Sequence, residues 1–248
     1  MKSRFRTWTH LFFRTNFIQT LRFNWKMLPA RQAWRLPIYF YGKTTFRSLT
    51  GKVVIEGPVH RGMIKVGRRD HYLTTTVPWT IWTVRGTIVF TGRIDFWMGS
   101  YVLVSDGAVL HLGKYPTFIG SNVRIICFDK ITIGNNVRIT WDIQLIDTSF
   151  HYMRKGEEGR IDPLTRPILI GDNVWIGNRS TLSKGTVIPP RTIVASGSLV
   201  NRDFSNIQPF TLLAGTPAVV KGTGIERIFD SRLQRELDEQ FHYCRTHL

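Results

Sequence analysis

The sequence contains very little cysteine: only Cys127 and Cys244 occur among its 248 residues. Two cysteines do not make a disulfide framework, and nothing else in the sequence indicates an oxidising compartment. The first 55 residues also lack acidic residues entirely, since the first carboxylate is Glu56. In this segment arginines interrupt every apolar stretch well before the ~20 residues that a membrane span needs. No continuous apolar segment precedes a small-residue cleavage site, so we expect no signal peptide.

Basic residues are abundant and unevenly distributed. The formal net charge is +17 and the isoelectric point is near 10.5, which suggests a polyanionic partner, either nucleic acid or an anionic membrane. Eleven lysines and arginines lie in residues 1–55, so the remaining residues carry a net charge of only +6. A hydrophobic content of 42% and a charged content of 21% are globular values and exclude a disordered polyelectrolyte. The basic character is therefore a property of the N-terminal segment.

An apolar stripe in this segment predicts a helix that ends before Pro29. Its members recur at spacings of four, four, four and three residues: Phe13, Phe17, Leu21, Trp25 and Leu28. Two interpretations stay open. The helix packs on the body of the protein or on a neighbouring subunit, or it lies in a membrane interface with aromatic rings among the headgroups and basic side chains on anionic lipid.

Internal repetition is the strongest pattern in the chain. An aliphatic residue recurs every six positions, at Ile170, Ile176, Leu182, Ile188, Val194 and Val200. Four residues after each of the first five stands a small or β-branched residue, namely Val174, Ser180, Thr186, Thr192 and Ser198. Shorter runs with the same spacing include Ile119, Ile125 and Ile131, and then Ile133, Ile139 and Leu145.

A period of six matches neither an α-helix nor a flat strand, whose periods are 3.6 and 2. It fits a short strand followed by a turn, and three such units make one triangular coil of a parallel β-helix. The aliphatic residues would point inward and stack on their equivalents in the next coil. Glycine, asparagine and aspartate, as in Gly171, Asp172 and Asn173, would supply the tight turns.

The repeat divides the chain into three regions. Residues 1–50 form the basic aromatic arm, residues 51–222 the β-helix, and residues 223–248 a C-terminal amphipathic helix that packs on the coil or on a partner. The phase of the repeat breaks between Leu145 and Ile170, which predicts a projecting loop at about residues 147–168. Long loops inside compact repeats are usually functional, and the alternative is a solvated insertion without a role.

Four motifs in this region resemble a known family, the hexapeptide-repeat O-acyltransferases. They are Asp147-Thr-Ser-Phe-His151, the PILIGDNVWIG segment at 167–177, the ASGSLV segment at 195–200 and the AGTPA segment at 214–218. The resemblance spans about residues 51–222 and is most similar to bacterial polysaccharide or sugar O-acetyltransferases. It implies an all-β fold, a left-handed parallel β-helix, and a homotrimer with active sites at subunit interfaces.

The implied reaction moves an acetyl group from acetyl-CoA to a hydroxyl of a sugar or polysaccharide precursor. The resemblance makes His151 the general base, a role that contributes ~10²–10⁴-fold to the rate. Asp147 is the candidate that orients the imidazole, and the alternative is a corner aspartate bonded to local backbone. A thioester is already activated, so we expect no metal cofactor.

The resemblance also implies residues for the two substrates. Asn178, Ser196, Asn201 and Arg202 stand where relatives contact coenzyme A, and Arg202 retains a positive charge for a phosphate. Trp141 and Asp142 are candidates for the acceptor pocket, and Trp175 is expected to shape the cleft between subunits. Val219 stands where relatives often carry a basic residue, which leaves one end of the phosphate contact unassigned.

Two other classes of function fit the sequence less well. A zinc site needs three convergent histidines, and only His111 and His151 of the seven lie in the well-formed repeat. A non-catalytic basic scaffold that binds membrane or nucleic acid is the second alternative. The mild charge of the coil and the lack of a nucleic-acid motif disfavour nucleic acid. We expect a cytoplasmic protein, with the basic arm offering peripheral contact at the inner face of the cytoplasmic membrane.

Overall fold

The computed structural model describes residues 15–68, 78–114, 117–154, 156–157 and 159–242. The first 14 residues of the predicted arm, including Phe13, lie outside these residues, as do residues 243–248 with Cys244. The described ranges contain three helices, α1 (Phe17–Met27), α2 (Ala30–Ala33) and α3 (Ser231–Gln240).

The same ranges contain 22 short strands. They are β1 (Ile38–Phe40), β2 (Thr44–Leu49), β3 (Lys52–Ile55), β4 (Ile64–Arg68), β5 (Thr80–Val84), β6 (Thr87–Phe90), β7 (Ile94–Trp97), β8 (Tyr101–Val104), β9 (Val109–Leu112), β10 (Phe118–Ile119), β11 (Arg124–Cys127), β12 (Lys130–Ile133), β13 (Arg138–Ile139), β14 (Gln144–Ile146), β15 (Ile168–Ile170), β16 (Trp175–Ile176), β17 (Thr181–Ser183), β18 (Val187–Ile188), β19 (Ile193–Val194), β20 (Leu199–Val200), β21 (Thr211–Gly215) and β22 (Ala218–Thr223).

From β1 to β20 every third strand pairs in parallel, which generates three sheets and a coil. The nine-stranded sheet has the order β1-β4-β7-β10-β13-β16-β19-β21-β22, the seven-stranded sheet β2-β5-β8-β11-β14-β17-β20, and the six-stranded sheet β18-β15-β12-β9-β6-β3. The register follows the repeat, since Ile139 pairs with Ile176 and Leu145 with Leu182. The predicted fold class, a left-handed parallel β-helix of hexapeptide repeats, is confirmed.

The inward side chains of successive coils form one continuous core. All six aliphatic residues of the repeat from Ile170 to Val200 are buried, and so are the five small or β-branched residues between them. Burying a side chain such as Ile176 or Leu182 contributes about 1.5–3 kcal/mol relative to an exposed one. Because no single coil has enough apolar surface for a core of its own, this energy is gained only by stacking.

Helix α1 closes the N-terminal end of the coil. Thr20 and Asn24 bond to the free edge of β1: Phe40 N–H donates to Thr20 Oγ1 over 3.0 Å, and Asn24 Nδ2 donates to Ile38 O over 2.7 Å. Phe23 packs against the rings of Phe40, Phe46 and Trp82. These contacts satisfy an edge strand that would otherwise expose its backbone.

The predicted helix is present, but its buried face differs from the predicted stripe. Thr20, Phe23, Asn24 and Met27 are the buried residues of α1, whereas Phe17 and Trp25 are exposed. Hydrophobic spacing identified the helix and not its inward face, because hydrogen bonds to β1 select the polar Thr20 and Asn24 for burial.

The boundaries of the coil also differ from those predicted. The coil begins at Ile38 and not at residue 51, since β1 and β2 already pair in register with β4 and β5. At the other end β21 and β22 form an antiparallel pair. Helix α3 is present as predicted, but none of its residues is buried, so its packing on a partner stays a prediction.

We predict that Asn24→Ala lowers the free energy of unfolding by about 2–4 kcal/mol, because it leaves the buried N–H and C=O of Ile38 without partners. Lys26→Ala, on the exposed face of the same helix, should change it by less than about 0.5 kcal/mol. Urea unfolding at equilibrium measures both values. Equal effects of the two substitutions would contradict this account of the end cap.

Candidate active site

The coil has three corners, and each collects a different set of predicted residues. The first corner joins the nine-stranded to the seven-stranded sheet, the second joins the seven-stranded to the six-stranded sheet, and the third joins the six-stranded to the nine-stranded sheet. Strand β14, of three residues, separates the first two corners in its coil. At ~3.3 Å per residue these corners are about 10 Å apart.

The projecting loop leaves the second corner, after β14. Its two arms run antiparallel, with bridges between Thr148 and Thr165 and between Arg154 and Ile161. Backbone bonds join the arms, since Ser149 N–H donates to Leu164 O over 3.0 Å and Asp162 N–H to Met153 O over 3.0 Å. The loop is therefore an ordered two-stranded projection.

Lys184 braces the root of this loop from the next coil. Its Nζ donates to Ser149 Oγ over 3.0 Å and to Pro163 O over 2.6 Å, so one side chain contacts both arms. Hydrogen bonds from charged donors are stronger than neutral ones. Sequence reasoning missed Lys184 and Ser149. The only available signal was that Lys184 occupies the corner position one coil after the loop.

His151 lies at the start of the outgoing arm with an exposed side chain. Ser149 Oγ donates to its backbone oxygen over 3.0 Å. The neighbouring Phe150, Tyr152 and Met153 are also exposed, and the ring of Phe150 packs edge-on against Phe128 at 5.5 Å. The braced corner thus fixes the backbone at His151 and leaves its imidazole exposed.

Asp147 is buried and engaged elsewhere. Its two carboxylate oxygens accept the backbone N–H groups of Phe128 at 2.8 Å and Asp129 at 2.9 Å, in the preceding coil. Burial raises the pKa of this carboxyl, and the two N–H groups oppose the shift. Burial of the Cys127 thiol raises its pKa, and the nearby negative charge of Asp147 raises it further. Of the two interpretations of Asp147, this geometry matches the corner aspartate bonded to backbone.

The first corner brings together four of the predicted substrate residues, Trp141, Asp142, Asn178 and Ser196. Ser196 Oγ donates to Asn178 Oδ1 over 2.6 Å, and Asn122 Nδ2 donates to Asp142 Oδ1 over 3.1 Å. Successive turns approach so closely that a Cβ on Gly177 would lie 2.5 Å from Ser196 N. Asn178 and Ser196 therefore form one polar edge, at a corner different from that of His151.

Asn201 and Arg202 lie with exposed side chains at the second corner, like the loop. Trp175 is half-buried on the outer face of the nine-stranded sheet, where it pairs in register with Arg138. A single chain thus brings Asp147, His151, Asn201 and Arg202 to the second corner. It brings Trp141, Asp142, Asn178 and Ser196 to the first corner, and Trp175 lies on a sheet face.

The third corner contains a cavity of about 440 Å³ that sequence reasoning did not predict. It is lined among others by Thr91, His111, Lys114, Asn135 and Asp172. The Asp172 carboxylate accepts the backbone N–H of Asn135 over 2.7 Å. Within the described ranges no group of three or more histidine, cysteine, aspartate or glutamate residues is placed to hold a metal ion.

We predict that Asp147→Ala lowers the free energy of unfolding by about 2–4 kcal/mol, because the N–H groups of Phe128 and Asp129 lose their acceptors. The matched control is Asp106→Ala, since the Asp106 carboxylate is exposed and lies 3.9 Å from Arg85. It should change stability by less than about 1 kcal/mol. Denaturant unfolding of both variants tests this, and an unchanged midpoint for Asp147→Ala would contradict the structural role.

Known proteins resemble both the sequence and the fold. Galactoside O-acetyltransferase of Escherichia coli K12 is 33% identical over 129 residues, covering 50% of this chain and 59% of that protein. The putative lipopolysaccharide biosynthesis O-acetyl transferase WbbJ of the same strain is 27% identical over 110 residues, covering 41% of this chain and 55% of the relative. The chain thus spans less than two thirds of these relatives' length. No protein-family model matches the chain.

Among solved structures, the polySia-specific acetyltransferase NeuO superposes with a TM-score of 0.59 at 18% sequence identity. The superposition covers 81% of this chain and 86% of NeuO. At this identity the likeness concerns the fold, while the curated relatives carry the sequence match. The resemblance to hexapeptide-repeat O-acetyltransferases of the bacterial sugar-acetyltransferase type is therefore confirmed, in about half of the sequence and in the fold.

Proposed function

We propose that this protein is an O-acetyltransferase that moves an acetyl group from acetyl-CoA to a hydroxyl of a sugar or polysaccharide precursor. The observation that carries the proposal is the exposed His151 at the root of a braced loop on a coil that resembles acetyltransferases in sequence. His151 acts as the general base. Its position leaves the imidazole open to an acceptor and fixes the backbone on both sides of it.

In the proposed reaction the acceptor hydroxyl attacks the thioester carbonyl while the neutral His151 imidazole takes the hydroxyl proton. The tetrahedral intermediate collapses with cleavage of the carbon–sulfur bond, and the imidazolium returns its proton to the departing thiolate. The products are an acetylated sugar and free coenzyme A. Because the thioester is already activated, the step requires neither a metal ion nor a covalent acetyl-enzyme.

Asp147 contributes to this site as a positioning residue. Its carboxylate ties the start of the loop to the preceding coil, three residues before Phe150 and four before His151. The loop root is therefore held from both sides along the coil axis, by Asp147 below and by Lys184 above. Such preorganisation keeps the base near its productive geometry.

We further propose that coenzyme A lies along the Asn178–Ser196 edge and that Asn201 and Arg202 hold the nucleotide end, with Arg202 on a phosphate. Trp141 and Asp142 contribute to the acceptor pocket, and Trp175 shapes the cleft between subunits. The Asn178–Ser196 edge and His151 occupy different corners of one chain. A homotrimer would bring the first corner of one copy next to the second corner of its neighbour.

The second candidate function is a non-catalytic β-helix scaffold, and the basic arm is the observation that favours it. The same arm suggests a cytoplasmic protein in peripheral contact with the inner face of the cytoplasmic membrane through residues 1–50. The two functions differ in one measurable respect, since only the enzyme releases free thiol from acetyl-CoA in the presence of an acceptor.

We predict that His151→Ala lowers the rate of acetyl transfer by about 10²–10⁴-fold, because the reaction loses its general base. Thiol release from acetyl-CoA, measured with a panel of sugars and nucleotide sugars, gives the rate. His60→Ala is the matched control, because His60 is an exposed histidine before β4, remote in sequence from the loop. If a folded His151→Ala variant is as active as the wild type, the assignment of the base is wrong. If the wild type releases no thiol with any acceptor, the scaffold is favoured.

We predict that Lys184→Met lowers kcat/KM by about tenfold, because both arms of the loop lose their brace and His151 is less well positioned. Lys184→Arg retains the charge and should restore part of the activity. Lys221→Met, an exposed lysine on β22, should leave kcat/KM unchanged. Steady-state kinetics on the acceptor used for His151 measures all three, and wild-type activity in Lys184→Met would contradict the bracing role.

A further inference from the structure

The outer face of the N-terminal cap exposes four large apolar side chains. Ile18 is 77% exposed, Trp34 72%, Phe17 48% and Trp25 44%. The rings of Trp25 and Trp34 contact edge-on at 5.1 Å, which joins α1 to the end of α2. We call these four residues the end-cap patch. Exposed apolar clusters of this kind mark interaction surfaces.

The end-cap patch faces away from the coil along its axis. Strands of the coil hydrogen-bond along that axis, and β1 is the terminal strand of its sheet. Helix α1 covers the free edge of β1 through Thr20 and Asn24, so its opposite face forms the end of the described part of the molecule. The patch therefore lies on a projecting end and not in a groove between elements.

Four exposed cations lie in the same helical segment as the end-cap patch: Arg22, Lys26, Arg31 and Arg35. No acidic residue occurs before Glu56. None of the ion pairs found in the described part of the chain involves these four cations. Arg22 lies over the Phe46 ring at 6.0 Å, and Arg35 donates to Val59 O over 3.1 Å. The segment that carries the patch is thus positively charged and contains no carboxylate that would neutralise these cations.

An anionic bilayer matches this surface in both apolarity and charge. Tryptophan rings favour the headgroup boundary. Each Lys or Arg near an anionic leaflet strengthens membrane binding further. Nucleic acid would use the cations and the rings, but it offers no apolar environment for Ile18, the most exposed of the four. No helix in the described ranges is long and apolar enough to cross a bilayer, so the contact would be peripheral.

The coil fixes the height of the candidate active site above such a surface. In the seven-stranded sheet β14 lies four strands beyond β2, and strands are spaced by about 4.8 Å, which gives roughly 19 Å. Helix α1 adds a layer of about 10 Å. With the end-cap patch on the membrane, the root of the loop with His151 would stand roughly 30 Å from the lipid.

We propose that the end-cap patch docks on an anionic bilayer with the coil upright, and that the acceptor is a glycan chain tethered to a membrane lipid. The assignment of the acceptor rests on the proposed acetyl transfer. A sugar attached directly to the lipid would not reach the loop at this height, whereas the outer sugars of a tethered chain would. Docking confines the enzyme to the surface that carries its acceptor, which raises the effective concentration of both.

Flotation of the full chain with vesicles tests the docking. The vesicles contain phosphatidylcholine and phosphatidylglycerol in equal parts, or phosphatidylcholine alone. We expect the wild type to partition at least tenfold more strongly onto the anionic vesicles and to be released by salt. The double variant Ile18→Ser with Trp34→Ser should lose at least tenfold in partitioning. The control is Val220→Ser with Phe241→Ser, which removes exposed apolar side chains near the C-terminal end of the described residues and should bind like the wild type.

Three outcomes would overturn the docking. They are equal binding to both vesicle types, undiminished binding by the end-cap double variant with its thermal unfolding unchanged, and release from anionic vesicles by a small excess of single-stranded DNA. The last outcome would assign the patch to nucleic acid.

Acetyl transfer separates the acceptor class from the docking. On a glycan tethered in anionic vesicles, the end-cap double variant should show at least tenfold lower kcat/KM than the wild type. On the same glycan free in solution the two should be equal. Equal rates on the tethered glycan would refute the acceptor class while leaving the acetyl transfer intact. If the wild type transfers acetyl to neither form of the glycan, the proposed acetyltransferase activity is refuted, and the docking is still judged by the flotation experiment.

Discussion

Stacking of one coil on the next is the interaction on which the rest of this structure depends. A six-residue unit contributes one aliphatic side chain and one small residue to the interior, as Ile176 and Ser180 do, and this is too little for a core. The parallel hydrogen bonds between equivalent strands hold these side chains in register. The interior is therefore fixed by repetition, and the corners and the two ends are free to vary.

The corners show how that freedom is used. At the second corner the chain leaves the coil for about twenty residues and returns without disturbing the register, since Ile131 still pairs with Ile168. Contacts from the coils on both sides hold the loop: Asp147 binds backbone of the preceding coil and Lys184 binds both arms from the next. A rigid scaffold can thus present an exposed histidine in a defined place, which is what the proposed chemistry requires.

The ends of a coil, unlike its corners, require hydrogen-bond partners, because a terminal strand has unpaired backbone groups on one side. Helix α1 supplies partners through Thr20 and Asn24 and buries Phe23 among the aromatic residues of the first turns. This arrangement turns the remaining apolar side chains of the helix outward, together with the cations of the acid-free segment. The seven basic residues of that segment that the structure describes therefore lie at and near the N-terminal end of the coil and not at the loop: Arg22, Lys26, Arg31, Arg35, Lys43, Arg47 and Lys52.

The architecture of the coil could be predicted from the amino-acid pattern. The six-residue spacing predicted that its aliphatic members from Ile119 to Val200 point inward, and the break in that spacing predicted where the loop leaves the coil, because both follow from local periodicity. Buried residues outside the spacing, such as Cys127 and Ile168, were not predicted. The roles of Asp147 and Lys184 and the buried face of α1 followed only from the folded coil. Each of these depends on a backbone group or side chain brought near by stacking, up to 35 residues away in the case of Lys184 and Ser149. Such contacts cannot be predicted from residue type and spacing, since the register between coils determines which residues meet.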